Sequence, residues 1–331
     1  MLKMPLDHIK KLTKEIIPSM RWDDNENFSA WQEKAKDKLN ELLGLPLKKC
    51  DDKFKIEYQI SHETFDETRF VFQSEEGFFV PCHFWKPKNR TGLLPLVICL
   101  QGHTTGMHIS MGRPKYPQDE ASISGGDRDF AVRIIKEGYC ALIMEQRGFG
   151  ELGGTEKGSD CTTSALMAFF IGRTMTGERV WDLQRTLDVV ENHFEYDRTK
   201  VICMGNSSGG TTTFFTSCLD SRISHSMPSC YFGSSQYYVE TLHCACCYIP
   251  EFWLNFDWGD LSGLIAPRPL VIVSGIMDHI IPYAGVYKAF KDAQKMYEGT
   301  GAAEKIKLIT GGGGHRFYAD LAWEAMNKFL R

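Results

Sequence analysis

The sequence lacks any uninterrupted apolar run long enough to cross a bilayer. Its first residues, Met1 to Lys11, alternate charged and apolar side chains and carry neither the apolar core nor the small-residue cleavage site of a secretory signal. An excess of one charge is missing too. The formal net charge is -4 and the pI about 6.2, so no broad basic face is available to neutralise a phosphate backbone. These absences exclude nucleic acid and membrane as expected partners, and they lead to the expectation of a cytoplasmic globular protein. There is no internal repeat and no low-complexity tract.

What is present is a chain of 331 residues, 43% hydrophobic and 24% charged, large enough to bury a full core. Its eleven cysteines cannot all pair internally. Cys99, Cys140, Cys203 and Cys230 sit in apolar, strand-like runs where a thiol behaves as a small buried hydrophobe, in keeping with a reducing compartment.

Residues Ser29 to Leu43 predict an amphipathic helix, capped by Ser29 and Gln32 and stopped by Gly44 and Pro46. It belongs to an N-terminal helical extension over residues 1–50, ahead of a catalytic domain over 51–331. From Lys53 to Pro87 the pattern is β-rich, with Phe70-Val71-Phe72 and Phe78-Phe79-Val80 flanking Glu75-Glu76-Gly77 as an antiparallel opening. Five short apolar runs follow: Leu96 to Leu100, Tyr139 to Met144, Val201 to Met204, Pro269 to Val273 and Ile306 to Ile309. They alternate with helical stretches, the clearest carrying Val180, Leu183, Leu187, Val190 and Phe194 on one stripe. The expected architecture is α/β, a mainly parallel twisted sheet with helices on both faces. Two stretches resist this pattern, Gly102 to Gly126 and Phe232 to Gly263. The second is rich in aromatics and reads as a cap-like insertion over a site.

Val201-Ile202-Cys203-Met204-Gly205-Asn206-Ser207-Ser208-Gly209-Gly210 runs a strand straight into G-x-S-x-G. Both flanking glycines are needed because the nucleophile occupies a strained turn where a β-carbon would strike strand or helix. Ser207 fits the nucleophile position and Ser208 does not. A serine hydroxyl needs a base, and the base needs an acid to fix its tautomer. Where G-x-S-x-G marks an α/β-hydrolase, the chain order is Ser, then Asp or Glu, then His. Asp278 follows the strand Pro269 to Val273, and His315 follows the last strand after four glycines. His279, the one other histidine beyond Asp278, adjoins the acid and cannot easily serve as its base. The four glycines are not a phosphate loop, since no Lys-Ser/Thr follows them. For the oxyanion, the expected donors are the backbone N-H groups of Ser208 and of His103 in Gln101-Gly102-His103, with the His103 side chain incidental.

Taken in order, Gln101-Gly102-His103, Glu145-Gln146-Arg147-Gly148-Phe149-Gly150, Gly205 to Gly210, Ala266-Pro267-Arg268-Pro269 and Gly314-His315 resemble the acetyl xylan esterase and dienelactone hydrolase branch of the α/β-hydrolases. The resemblance covers roughly residues 65 to 331. It implies an α/β-hydrolase fold, hydrolysis of small-acyl carboxylic esters through an acyl-enzyme, an acetylated carbohydrate as first substrate, and a bracing role for Arg147. Two departures are visible: Gln101-Gly102 replaces the more usual His-Gly, and Ser207 stands where dienelactone hydrolases have cysteine. Ester hydrolysis is therefore favoured over that lactone chemistry. A peptidase or thioesterase on the same three residues is an alternative, and so is a silent binding protein on this scaffold.

The triad calls for no cofactor. His243-Cys244-Ala245-Cys246-Cys247 has histidine and cysteine close together, but no second C-x₂₋₄-C unit follows, so the segment is read as packed under the cap rather than as a metal site. The expected partner is a small-molecule ester. Assembly into a homo-oligomer is left open.

Overall fold

The structure is a computed structural model describing residues 4–23, 25–241 and 243–330, so the first three residues of the N-terminal extension and Leu242 of the aromatic segment lie outside the described residues. Among these, one sheet is formed by β1 (Lys55–Ser61), β2 (Phe65–Glu75), β3 (Phe78–Pro87), β4 (Pro95–Leu100), β5 (Cys140–Met144), β6 (Asp197–Asn206), β7 (His225–Ser229), β8 (Leu270–Gly275) and β9 (Ile306–Gly311). Their spatial order is β1-β2-β3-β5-β4-β6-β7-β8-β9. The first four in that order pair antiparallel. From β5 onward every pairing is parallel.

The helices are α1 (Pro5–Thr13), α2 (Phe28–Leu43), α3 (Asp119–Ile123), α4 (Phe130–Glu137), α5 (Thr162–Phe170), α6 (Met175–His193), α7 (Ser208–Leu219), α8 (Ser235–Tyr238), α9 (Phe252–Asn255), α10 (Trp258–Leu261), α11 (Tyr283–Gly299) and α12 (Ala319–Leu330). Because successive strand residues point to opposite faces, β4 feeds two cores at once. Leu96, Ile98 and Leu100 pack on Leu183, Leu187 and Val190 of α6. Val97 and Cys99 pack on Phe130 and Ile134 of α4 and on Trp323 and Met326 of α12. On the α6 side, Leu270 and Ile272 of β8 meet α7 and α11, and α2 joins them through Trp31, Leu39 and Leu43. Both faces are thus covered, which is what a parallel sheet requires.

Three details depart from expectation. α2 is capped by Asn27, whose side chain accepts from the Ala30 amide, not by Ser29. Gln32 instead reaches across to the carbonyls of Gly263 and Ala266, tying the helix to the segment before β8. β7 is an additional strand: His225-Ser226-Met227-Pro228-Ser229 is wholly buried although three of its residues are polar and one is proline. Its place between β6 and β8 overrides its composition. The segment 102–126 is ordered around Asp119, which accepts from Thr105 (2.5 Å), from His108 (3.0 Å) and from the Lys115 and Tyr116 amides.

No described cysteine is in a disulfide, and no described helix is long and apolar enough to cross a membrane. The packing of α6 can be tested directly. Leu183→Ala, at a side chain with no exposure, is expected to cost about 2 to 5 kcal/mol of unfolding free energy. Denaturant titration measures it, and a loss below about 0.5 kcal/mol would mean that α6 is not packed as described.

Candidate functional site

β6 ends at Asn206 and α7 begins at Ser208, so Ser207 alone makes the turn, at φ 57 and ψ −123. For a residue with a β-carbon this is a costly conformation. The surroundings enforce it. The Ser207 amide donates to the Ser229 carbonyl at the end of β7 (2.8 Å), and the Ser207 carbonyl accepts from Thr211 one helical turn on. A β-carbon at Gly209 would run into the Leu100 carbonyl, and one at Gly205 into the Gly209 backbone. Gly102 must also lack one, because its α-carbon faces the Asn206 carbonyl and the Ser207 β-carbon. The loop after β4 is therefore pressed onto the serine.

His315 follows β9 and Asp278 follows β8, as the chain order anticipates. His315 Nδ1 lies 2.8 Å from Asp278 Oδ2, and Oδ1 accepts from the Ile280 and Ile281 amides (2.9 and 3.2 Å). Burial pushes the Asp278 carboxyl up, but the hydrogen bond and charge of His315 and these two amides outweigh it and hold the group below its ordinary value. His315 Nε2 is buried with no hydrogen-bond partner among the described residues. Ser207 and His315 line one cavity of about 290 Å³, together with His103, Arg128, Cys230, Tyr231, Ile280 and Ile281 among others.

Ser208 is the first residue of α7, where a helix's leading N-H groups have no internal partner and its dipole favours negative charge. The loop bearing His103 is anchored by Gln101. Its side-chain amide donates to Ser110 Oγ (2.7 Å) and to the Arg128 carbonyl (2.8 Å), while its own carbonyl accepts from Gln146. Gln146 in turn accepts from Thr212 of α7 (2.6 Å). The glutamine that replaces the usual histidine is thus the fastening of the loop.

The His103 side chain, for which the sequence offered no role, faces two cysteines. Its Nε2 lies 3.4 Å from Cys161 Sγ and 3.3 Å from Cys246 Sγ. The segment 243–247 also divides. His243 stacks flat on Tyr238 (3.5 Å between ring centres) with its Nε2 near Thr241 Oγ1 and the Tyr238 carbonyl, and burial pushes its imidazole down to about 4. Cys244 and Cys246 turn instead toward Cys161 and His103.

Arg147 is surrounded by Asp182 (2.7 Å), Glu75 (2.7 Å) and Glu178 (3.1 Å) and is not among the described residues that line the cavity. Its carbonyl accepts from Arg179. Arg179, which no sequence motif marked, also donates to Ser208 Oγ (2.7 Å) and Cys246 Sγ (3.4 Å). Arg128 was missed likewise. It lines the cavity, donates to the His315 carbonyl (3.3 Å) and has no carboxylate in ion-pair range among the described residues. Cys230 stands beside the Asp278 and His315 pair, but burial pushes its thiol up to about 12, which keeps it protonated.

Comparison with known proteins agrees with this architecture. The family model described as acetyl xylan esterase (AXE1) matches residues 1–244, a span that includes Ser207 and ends before Asp278 and His315. YtaP of Bacillus subtilis (strain 168), named as a candidate hydrolase, is 27% identical over 259 residues, covering 76% of this chain and 82% of that one. Among solved structures, a candidate acetyl xylan esterase from Bacteroides fragilis NCTC 9343 superposes with a TM-score of 0.86 at 15% identity, covering 100% of this chain and 96% of that one. A glucuronoyl esterase from Solibacter usitatus superposes with a TM-score of 0.71 at 14% identity, covering 96% and 98%. At those identities the two structures speak for the α/β-hydrolase fold. The family match carries more: this chain belongs to the acetyl xylan esterase family and is a carboxylic ester hydrolase.

Proposed function

We propose that the protein hydrolyses small-acyl, chiefly acetyl, esters of carbohydrates by a serine mechanism in which Ser207 is the nucleophile, His315 the base and Asp278 its orienting acid. The observation that carries this reading is that one cavity is lined both by a strained Ser207 and by a histidine whose Nδ1 is held by a carboxylate and whose buried Nε2 has no partner among the described residues. His315 Nε2 takes the Ser207 proton as Oγ attacks the ester carbonyl. The oxyanion is received by the backbone N-H groups of Ser208 and His103. The tetrahedral intermediate then expels the alcohol, which takes the proton from His315, and leaves an acetyl-serine. Water, deprotonated by His315, attacks that ester and releases acetate. Asp278 stays ionised throughout, because its hydrogen bonds hold its carboxyl low.

Acetyl preference is supported by the size of the cavity and its walls. Tyr231, Ile280 and Ile281 line it together with Ser207, and Cys244 and Cys247 of the aromatic segment also contribute to its lining. Carbohydrate as the alcohol follows from the family and from the names of the structural relatives.

Ser207→Ala is expected to lower kcat by on the order of a millionfold with the unfolding transition unchanged. A purified variant that retains a tenth of the wild-type rate would remove Ser207 from the nucleophile's role. Asp278→Asn should lower kcat about ten-thousandfold with a far smaller change in KM, since the carboxylate orients the base and does not bind substrate. Steady-state kinetics at several pH values measures both parameters. An unchanged rate would assign the acid elsewhere.

The cavity walls make a third expectation. An acyl chain too long for the pocket loses about 1 to 3 kcal/mol, so kcat/KM for p-nitrophenyl acetate should exceed that for the octanoate by roughly tenfold or more. A rate that rises with chain length would mean an open groove rather than a capped pocket.

A further inference from the structure

Four side chains from three separate loops converge at the wall of the cavity, which His103 and Cys244 help to line. His103 comes from the loop after β4, Cys161 from the residue preceding α5, and Cys244 and Cys246 from the turn after α8. Their ligand atoms all lie within 4.8 Å of one another. Cys161 Sγ is 3.2 Å from Cys244 Sγ and 3.4 Å from His103 Nε2, and Cys246 Sγ is 3.3 Å from that same nitrogen. A tetrahedral zinc ion, with bonds of about 2.3 Å to sulfur and 2.0 Å to nitrogen, holds its ligand atoms about 3.5 to 3.8 Å apart. These three distances lie slightly under that spacing, and the remaining pairs lie within 4.8 Å. Three soft sulfurs and one imidazole are also the donor set that selects zinc over harder divalent ions.

A second observation points the same way. Arg179 is 1% exposed and has no carboxylate in ion-pair range among the described residues. A buried guanidinium without a counter-charge is strongly disfavoured. Arg179 Nη1 points at Cys246 Sγ (3.4 Å). Three thiolates and a neutral imidazole around Zn²⁺ carry one net negative charge, and Arg179 balances it. Thr162 Oγ1, 3.5 Å from Cys244 Sγ, gives the cluster a second outer contact.

We propose that His103, Cys161, Cys244 and Cys246 form a closed, four-coordinate Zn²⁺ site. With four protein ligands no coordination position is open, so the ion does not polarise substrate. It fastens the loop that carries His103 to the turn before α5 and to the aromatic segment. Arg179, which bridges Cys246 and Ser208 Oγ, links the same site to the start of α7. Binding releases the three thiol protons, so occupancy falls at acid pH.

The test is metal content, which is independent of the proposed reaction. The full-length protein, prepared with zinc in the medium and without a metal-affinity step, is expected to hold about one zinc per chain by mass spectrometry of the elements. Cys161→Ser, Cys244→Ser and Cys246→Ser combined should lose it, while Cys50→Ser should keep it. Because the triple variant could misfold, the wild-type protein is also exchanged with Co²⁺, where thiolate-to-cobalt charge-transfer bands are expected. An anomalous difference map at the zinc edge should place the ion among the four residues. Wild-type protein holding less than about a tenth of a zinc per chain after zinc addition would overturn the proposal, as would full zinc retention by the triple variant. A Cys161 to Cys244 disulfide that forms in place of metal uptake would overturn it equally.

Discussion

The structure turns on one strained residue. Ser207 sits at φ 57 between the end of β6 and the start of α7, a conformation that persists only where its surroundings over-determine it. The parallel sheet supplies that constraint. Hydrogen bonding of the Ser207 amide to the end of β7 fixes the turn from one side, and the Leu100 carbonyl at the end of β4 fixes the start of α7 from the other. Glycine at 102, 205 and 209 is what lets three backbones meet there. Everything near the cavity is positioned relative to this turn: the first amides of α7, the loop of His103, and the histidine and carboxylate delivered by β8 and β9.

Loops hold geometry poorly unless something ties them, and here the ties are polar and buried. Gln101 and Gln146 link the loop after β4 to the loop after β5 and to Thr212 of α7. Arg179 spans the Arg147 carbonyl, Ser208 Oγ and Cys246 Sγ. Arg147 itself is neutralised by three carboxylates, so it braces the region without reaching the cavity. The cluster of His103, Cys161, Cys244 and Cys246 fits the same scheme. It brings the aromatic segment, which has only short helices of its own, against the loops that carry His103 and Cys161.

The sheet, and the placing of Ser207, Asp278 and His315 after its strands, were legible in the sequence because both rest on local signals. Apolar strand runs bounded by glycine and helical stripes need no distant information, and G-x-S-x-G is a strain motif written in five residues. What local pattern could not carry was anything decided by contacts far along the chain. β7 reads as a polar loop because its proline and serines are buried only by its neighbours in the sheet. Asn27 rather than Ser29 caps α2, a difference of two residues that a run of good capping residues leaves undecided. The cysteine and histidine cluster was invisible for the same reason. Cys244 and Cys246 form a short pair, but their partners lie 83 and 143 residues away, so no paired spacing exists to be read. Arg128 and Arg179 carried no motif at all, and they stand out only when a half-buried and a buried guanidinium are seen without a carboxylate in ion-pair range among the described residues.

The account stands on Ser207 being a nucleophile activated by its turn and by His315. Labelling with a fluorophosphonate, followed by mapping of the modified peptide, tests it most directly. One adduct per chain on Ser207, with labelling lost on His315→Ala, is the predicted result. Absence of an adduct on protein that turns over esters, or an adduct at another residue such as Cys230, would contradict it.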